Sequence, residues 1–154
     1  MAYLPDHTGR SGTVLMLHGF TGQRIESGFM FVQLARRIAA SGLAAVTFDF
    51  RHSGESDGSF DQMLVSGEIQ DALQVTRWLG AQPFVDRSRL GVLGFSLGGL
   101  VAACAGAYSG AYSAMVLVAP TTQTNLSRYA SQQRVGDSVV IGPHVLHPDF
   151  FDDL

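Results

Sequence analysis

The stretch GVLGFSLGGLVAACAG, Gly91–Gly106, decides the fold of this 154-residue chain. Its apolar beginning favours a buried strand, and the segment after it carries apolar residues at the spacing of one helix face. Between the two, Gly94–Gly98 matches G-x-S-x-G, in which a serine occupies a tight strand-to-helix turn with its hydroxyl exposed. Glycine two residues to either side lets the neighbouring backbone pass without a Cβ clash. The pattern predicts that Ser96 is a nucleophile; the alternative is a serine that only caps the helix.

Four short apolar runs predict the strands of the fold: Thr13–Leu17, Leu43–Phe48, Leu90–Phe95 and Ala114–Val118. None of them alternates cleanly with polar residues, which indicates strands buried on both faces of a parallel sheet. Helical spacing fills the gaps, at Phe31, Leu34, Ala35 and Ile38 before a stop at Gly42, and at Ile69, Ala72, Leu73 and Thr76. The alternation predicts an α/β fold, a mostly parallel sheet flanked by helices in three layers.

A second motif, LMLHGFTG, ends the first strong strand and opens a glycine-rich turn. A turn at this edge can aim a backbone N–H group at the space above Ser96. Acyl transfer needs two such donors where negative charge develops on the carbonyl oxygen. We assign them to the backbone N–H groups of Phe20 and Leu97. His18 is expected to form structural hydrogen bonds in this loop rather than to act as a base.

Nucleotide, metal and nucleic-acid sites are not expected. The G-x-G-x-x-G fingerprint requires glycine where Ser96 stands and an acid at the end of the next strand, which here ends Ala119-Pro120. A phosphate-binding P-loop requires lysine, and the chain has none; its ten basic residues are scattered arginines, and the net charge is −3. No Cys/His cluster has metal-ligand spacing. We therefore expect no cofactor, no metal and no nucleic-acid partner.

These motifs resemble those of the α/β-hydrolases, nearest to small bacterial esterases, cinnamoyl/feruloyl esterases and monoacylglycerol lipases. HGFTG resembles their oxyanion loop, GFSLGG their nucleophile elbow, and FDFRHSGESDG the turn after their fourth strand. The resemblance implies a partial α/β-hydrolase fold, with residues 1–120 matching strands 2 or 3 to 6 and residues 121–154 beginning an incomplete cap or lid. It also implies that four residues of the third motif pack near the site without doing chemistry: Asp49, Arg51, His52 and Ser56.

The function implied is a serine hydrolase of small carboxylic esters that forms an acyl-enzyme through Ser96. A peptidase or thioesterase of the same fold is an alternative, as is an inactive fragment or pseudo-hydrolase that serves as an interaction module. In this fold the triad acid and histidine follow later strands, so we expect both outside these 154 residues. The tail groups are not expected to form a triad of their own: Asp137, His144, His147, Asp149, Asp152 and Asp153.

The sequence also bears on the cell compartment, on membrane spans and on one edge of the sheet. A single cysteine and the lack of a signal-peptide pattern favour the cytoplasm. The charge-free stretch from Leu90 to Ser127 is broken by glycine, serine and tyrosine, so we expect no membrane span. The run Ala114–Val118 would form an unpaired apolar sheet edge, a risk for self-association.

Overall fold

The computed structural model describes residues 1–122, 124–125, 134–135 and 138–153. Within these ranges, five strands form one sheet in the order β1-β3-β2-β4-β5. The strands are β1 (Ala2–Tyr3), β2 (Ser11–Leu17), β3 (Ala44–Thr47), β4 (Val85–Phe95) and β5 (Ala114–Val118). Only β1 runs antiparallel to its neighbour. The mostly parallel α/β sheet predicted from the apolar runs is therefore confirmed.

Among the described residues, three helices flank this sheet: α1 (Met30–Ala40), α2 (Val65–Gly80) and α3 (Leu97–Ser109). Each covers the helical spacing found in the sequence. Helix α1 ends just before Gly42, whose φ of 88° suits glycine. Short 3-10 turns at Ser27–Phe29 and Phe60–Gln62 precede α1 and α2.

Alternate residues of the central strands supply two separate cores. Met16 and Leu93 pack with Phe31 and Ala35 of α1 on one face. Leu15, Leu17 and Val92 belong to the larger core on the other face, which includes apolar residues of α2 and α3. Because successive strand residues point to opposite faces, this division produces the three layers, with the sheet between the helices.

Strand β5 corrects one expectation. Its run was predicted to be buried on both faces, yet its apolar side chains are 39–53% exposed from Met115 to Val118. The reason is its position at the end of the strand order, where no further described strand pairs with it. The predicted apolar edge is thus present in the described residues.

The tail adds a second, antiparallel sheet of β6 (Arg134–Val135), β7 (Ser138–Ile141) and β8 (His144–Leu146). Val139, Leu146 and Phe150 are almost fully buried and join the larger core. Among the described residues, no helix combines the length and apolar character needed to cross a membrane.

Candidate active site

Ser96 stands at the corner between β4 and α3. Its φ of 54° and ψ of −117° lie outside the regions that non-glycine residues favour. The surrounding backbone holds it there: its N–H donates to the carbonyl of Val118 at 2.9 Å, and its own carbonyl accepts from the N–H groups of Gly99 and Thr121 at 3.0 and 2.9 Å. Strained positions of this kind persist where neighbouring structure over-determines them, often at functional sites.

The two glycines of the motif allow this corner to form. A Cβ atom on Gly94 would lie 2.6 Å from the carbonyl carbon of Gly98, and one on Gly98 would lie 2.7 Å from the carbonyl carbon of Leu17. Real Cβ atoms do not approach backbone so closely. The first turn of α3 therefore rests directly on the end of β2, as the sequence motif predicts.

The Ser96 hydroxyl does not cap α3. Ser96 is at the N-cap position, but its side chain makes no capping hydrogen bond, unlike an ordinary N-cap serine. The residue is half-buried rather than enclosed. The helix-cap alternative is therefore not what the structure shows, and the hydroxyl is left available for other chemistry.

The HGFTG loop lies against this serine. A Cβ atom on Gly19 would be 3.2 Å from the Cβ atom of Ser96. Leu17 pairs with Gly94, so the ends of β2 and β4 are side by side. Phe20 follows Gly19 in the loop, and Leu97 follows Ser96 at the start of α3. Neither of their backbone N–H groups has an acceptor among the described residues.

His18 is fully occupied by structural hydrogen bonds. The N–H of Phe50 donates to its Nε2 atom at 3.2 Å, so the proton resides on Nδ1, which donates to the carbonyl of Gly19 at 3.0 Å. Burial lowers the pKa of His18, although the Gly19 carbonyl and nearby acids act in the opposite direction. A neutral ring with both nitrogens engaged cannot take the Ser96 proton, which supports the structural interpretation.

The third motif builds a rigid turn beside the site. Burial alone would raise the pKa of Asp49, but hydrogen bonds from the backbone of Arg24 and Glu55, and then the Arg24 guanidinium, lower it. Arg51 binds Asp71 of α2 through Nε at 2.9 Å and Nη2 at 2.6 Å. The Ser56 hydroxyl donates to the carbonyl of Asp49 at 2.7 Å.

His52 also belongs to this turn. Its φ is 67°, its N–H donates to the carbonyl of Asp57 at 3.0 Å, and its buried Nδ1 atom has no partner among the described residues. The hydrogen bonds of these four residues hold the turn to Arg24 and to Asp71 of α2, and none of them joins Ser96 within the described residues.

Aromatic residues from the tail cover the HGFTG loop. The Phe20 ring packs against the rings of Phe60, Phe150 and His144, at centroid distances of 5.5, 5.8 and 6.3 Å. Asp153 fastens the tail to α2, because its carboxylate accepts both the N–H and the hydroxyl of Ser66 at 2.6 Å. The small sheet is thereby held over the side of the site that carries Phe20.

The tail histidines do not reach the serine. His144 lies in the aromatic cluster around Phe20 and Phe60. The Nδ1 atom of His147 accepts from the N–H of Asp149 at 3.2 Å and lies 3.7 Å from its carboxylate. No hydrogen bond joins either histidine to Ser96 within the described part of the chain, and Asp137 falls outside it.

Sequence reasoning missed two acids with buried carboxylates. Glu26 is 8% exposed and accepts the N–H of Gly19 at 2.6 Å. Glu68 is 2% exposed, burial raises its pKa well above the ordinary value, and its Oε2 atom has no partner among the described residues. Glu68 lies one helical turn before Ala72, on the buried face of α2, so helical spacing alone could have indicated its burial.

Comparison with known proteins places this geometry in context. The sequence matches the X-Pro dipeptidyl-peptidase (S15) family over residues 2–138. It is 31% identical to a monoacylglycerol lipase of Mycolicibacterium smegmatis over 80% of this chain and 42% of the lipase. It is also 31% identical to an uncharacterized 31.7 kDa protein of Escherichia coli, over 62% of this chain and 32% of that protein. The chain spans between 17% and 42% of the length of the curated relatives it matches.

Among solved structures, the esterase Est1E of Butyrivibrio proteoclasticus with bound ferulic acid superposes with a TM-score of 0.85. The identity is 19%, and the match covers 99% of this chain and 64% of that one, so this likeness concerns the fold. With the parallel sheet, the strained serine corner and the family match over residues 2–138, the chain belongs to the X-Pro dipeptidyl-peptidase (S15) family within the α/β-hydrolase superfamily.

Proposed function

We propose that this chain carries the nucleophile and the oxyanion donors of a serine hydrolase acting on small carboxylic esters. Ser96 Oγ attacks the ester carbonyl, and the backbone N–H groups of Phe20 and Leu97 stabilise the charge on its oxygen. The observation that carries the proposal is the close approach of Gly19 to Ser96. A Cβ atom placed on Gly19 would lie only 3.2 Å from the Cβ atom of Ser96. This approach brings the two motifs that such a reaction needs to one point.

The general base and its orienting acid are proposed to lie outside residues 1–154. His18 supports this assignment because both of its ring nitrogens are engaged. A hydroxyl without a base is a poor nucleophile near neutral pH. We therefore expect the 154-residue chain to show only trace turnover, because oxyanion donors and binding alone leave about 10³-fold acceleration over water.

Residues 121–154 are proposed to begin a cap over the site. The support is the aromatic packing of Phe150 and His144 on Phe20 and the attachment of Asp153 to Ser66. Such a segment would exclude water from one side of Ser96 and provide an apolar wall for the substrate. We also propose a cytoplasmic location, supported by the single cysteine.

The decisive experiment is labelling with a fluorophosphonate probe, followed by mass spectrometry of the modified peptide. In this reaction the Oγ–P bond forms, the P–F bond breaks, fluoride leaves and the hydroxyl proton passes to solvent. Because the base is proposed to lie outside the chain, we expect slow labelling that requires excess probe and long incubation, with one adduct on Ser96 and none in Ser96→Ala. Ser41→Ala, at an exposed serine after α1, is the matched control and should label like the wild type. A folded wild-type chain without any adduct would favour the pseudo-hydrolase alternative.

Peptide hydrolysis is the second candidate, favoured by the family match over residues 2–138. The same acyl-enzyme chemistry serves esters, thioesters and amides, so the leaving group separates the candidates. Adduct-forming protein should be compared on p-nitrophenyl acetate, an acyl thioester and an X-Pro p-nitroanilide. Turnover of the anilide above that of the acetate, abolished by Ser96→Ala, would replace the esterase proposal with a peptidase.

A further inference from the structure

Glu26 is a buried acid in the loop between β2 and α1. Its φ of 55° and ψ of 167° are unusual for a residue with a long side chain. One carboxylate oxygen accepts the N–H of Gly19 at 2.6 Å, and the other accepts the N–H of Ser27 at 3.1 Å. Hydrogen bonds from N–H groups to an ionised carboxylate are among the stronger ones in proteins.

The surrounding loop is shaped to admit this carboxylate. A Cβ atom on Gly22 would lie 2.6 Å from Oε1 of Glu26, so a larger residue there would displace the acid. The N–H of Glu26 donates to the carbonyl of Gln23 at 2.8 Å. The N–H of Arg24 donates to Asp49 at 2.6 Å, which ties the same loop to the turn after β3.

The peptide that follows Gly19 is also held. The carbonyl of Gly19 accepts from the N–H of Gly22 at 3.0 Å and from Nδ1 of His18 at 3.0 Å. Because a trans peptide is planar, with its C=O and N–H groups pointing in opposite directions, the direction of this carbonyl sets the direction of the Phe20 N–H. Both peptides that flank the Gly19 Cα atom are thus fixed by hydrogen bonds, one of them to Glu26.

We propose that Glu26 is a positioning residue for the oxyanion donor: it holds the N–H of Gly19 so that the N–H of Phe20 points at the space beside Ser96. The proposal rests on the proposed function of Phe20. Glu26 itself touches neither the reacting serine nor the ester. It acts through the backbone of Gly19, which passes so close to Ser96 that an added Cβ atom would lie 3.2 Å from the Cβ atom of the serine.

The test compares Glu26→Asp, Glu26→Gln and the control Glu55→Gln. Aspartate keeps the charge but is one methylene too short to reach Gly19, whereas glutamine keeps the length and one acceptor oxygen. Glu55, whose 79% exposed side chain pairs with Arg24 at 2.6 Å in the same region, controls for the loss of a nearby negative charge and of an ion pair to this loop. Cooperative thermal unfolding establishes that each variant is folded before the rate of fluorophosphonate labelling is measured.

We expect Glu26→Asp to label about 10- to 100-fold more slowly, below the 100- to 1,000-fold cost typical of deleting an oxyanion donor. Glu26→Gln should recover most of the rate, and Glu55→Gln should match the wild type. In the labelled wild type, the amide proton of Phe20 should move downfield in the NMR spectrum, because it donates to the phosphoryl oxygen. That shift should be smaller in Glu26→Asp, an effect that a purely structural role would not produce.

Three results would overturn the inference, and they are separable. Equal labelling rates and equal Phe20 shifts in wild type and Glu26→Asp would remove the role of Glu26 while leaving Ser96 as the nucleophile. A labelled Ser96 without any Phe20 shift would remove the donor role of Phe20 as well. Failure of the wild type to label would remove the proposed function itself. If Glu26→Asp does not fold, Glu26→Gln decides: a wild-type rate despite an upfield-shifted Gly19 amide would contradict the proposal.

Discussion

Gly98 leaves no room for a methyl group beside the backbone of Leu17, because a Cβ atom there would lie 2.7 Å from the carbonyl carbon of Leu17. Gly98→Ala should therefore push α3 away from β2 and destabilise the chain by about 1–3 kcal/mol, the usual cost of overpacking. It should also slow the labelling of Ser96. Gly91→Ala is the control, since its Cβ atom would meet nothing closer than 3.5 Å. Chemical denaturation measures both variants, and equal stability would contradict the close approach.

Below pH 6.5, the wild type should lose stability through His18. Burial lowers the pKa of His18 from its ordinary value of 6.5. As the pH falls below 6.5, the unfolded chain takes up a proton that the folded ring does not, so the free energy of unfolding decreases until the lower folded pKa is reached.

The matched comparison is His18→Asn against His7→Asn, since His7 is exposed. Denaturant unfolding at pH 7.5, 6.5 and 5.5 should show that His18→Asn loses less stability over this range than the wild type. A wild-type pH dependence in His18→Asn would mean that the His18 ring accepts a proton in the folded chain as readily as in the unfolded one.

Through Glu68, the free energy of unfolding should depend on pH in the opposite direction, decreasing as the pH rises. Burial, assisted by the charge of Asp71, raises the pKa of Glu68 well above the ordinary value of 4.5. Above pH 4.5 the unfolded chain releases this proton while the folded chain retains it. The free energy of unfolding therefore falls as the pH rises from 4.5 towards the folded pKa.

Glu68→Gln has the same shape and no titration, so its melting temperature should rise relative to the wild type between pH 4.5 and 7.5. Glu55→Gln, with its exposed side chain, controls for the loss of one charge. A constant difference between Glu68→Gln and the wild type across this range would show that the buried carboxyl does not titrate as expected.

The apolar edge at β5 should cause the 154-residue chain to associate. Val116 is 53% exposed on this strand. A lysine on an edge strand disfavours pairing with another chain because its charge would have to be desolvated. Sedimentation velocity over a concentration series should show association of the wild type and less of it for Val116→Lys. Tyr108→Lys, at a residue of α3 that is 75% exposed, is the control. A wild type that stays monomeric throughout would contradict this prediction.

Short-range signals determined most of the central fold. Each apolar run became a strand, and all except Ala114–Val118 are largely buried, as a parallel sheet requires of continuous apolar segments. Each helix followed its 3.6-residue spacing. The corner at Ser96 was predictable from the glycines at positions 94 and 98. Backbone passes so close to both positions that a side chain there would clash with it. The mostly parallel α/β fold that these local rules predicted is confirmed.

Features that depend on distant partners escaped prediction. The tail was expected only as a cap, although Ser138–Ile141 and His144–Leu146 flank Gly142-Pro143 as two strands flank a turn. Gly142 has a φ of 56°, so a hairpin was readable at this point. The burial of Glu26, by contrast, depends on Gly19 and on a loop whose course only the assembled sheet determines. No local pattern marks an acid as buried when its partner is a backbone amide brought near by folding.

The unusual backbone conformation of Ser96 lowers the stability of the folded chain while it exposes the hydroxyl proposed to react. A serine held at a φ of 54° and a ψ of −117° occupies a conformation that glycine adopts with little penalty. Replacing it with glycine would relax the corner by about 1–3 kcal/mol, partly offset by the greater freedom of glycine when unfolded. A more stable version of this protein is thus one that lacks the Ser96 hydroxyl, and selection for stability alone would remove the group on which the proposed chemistry depends.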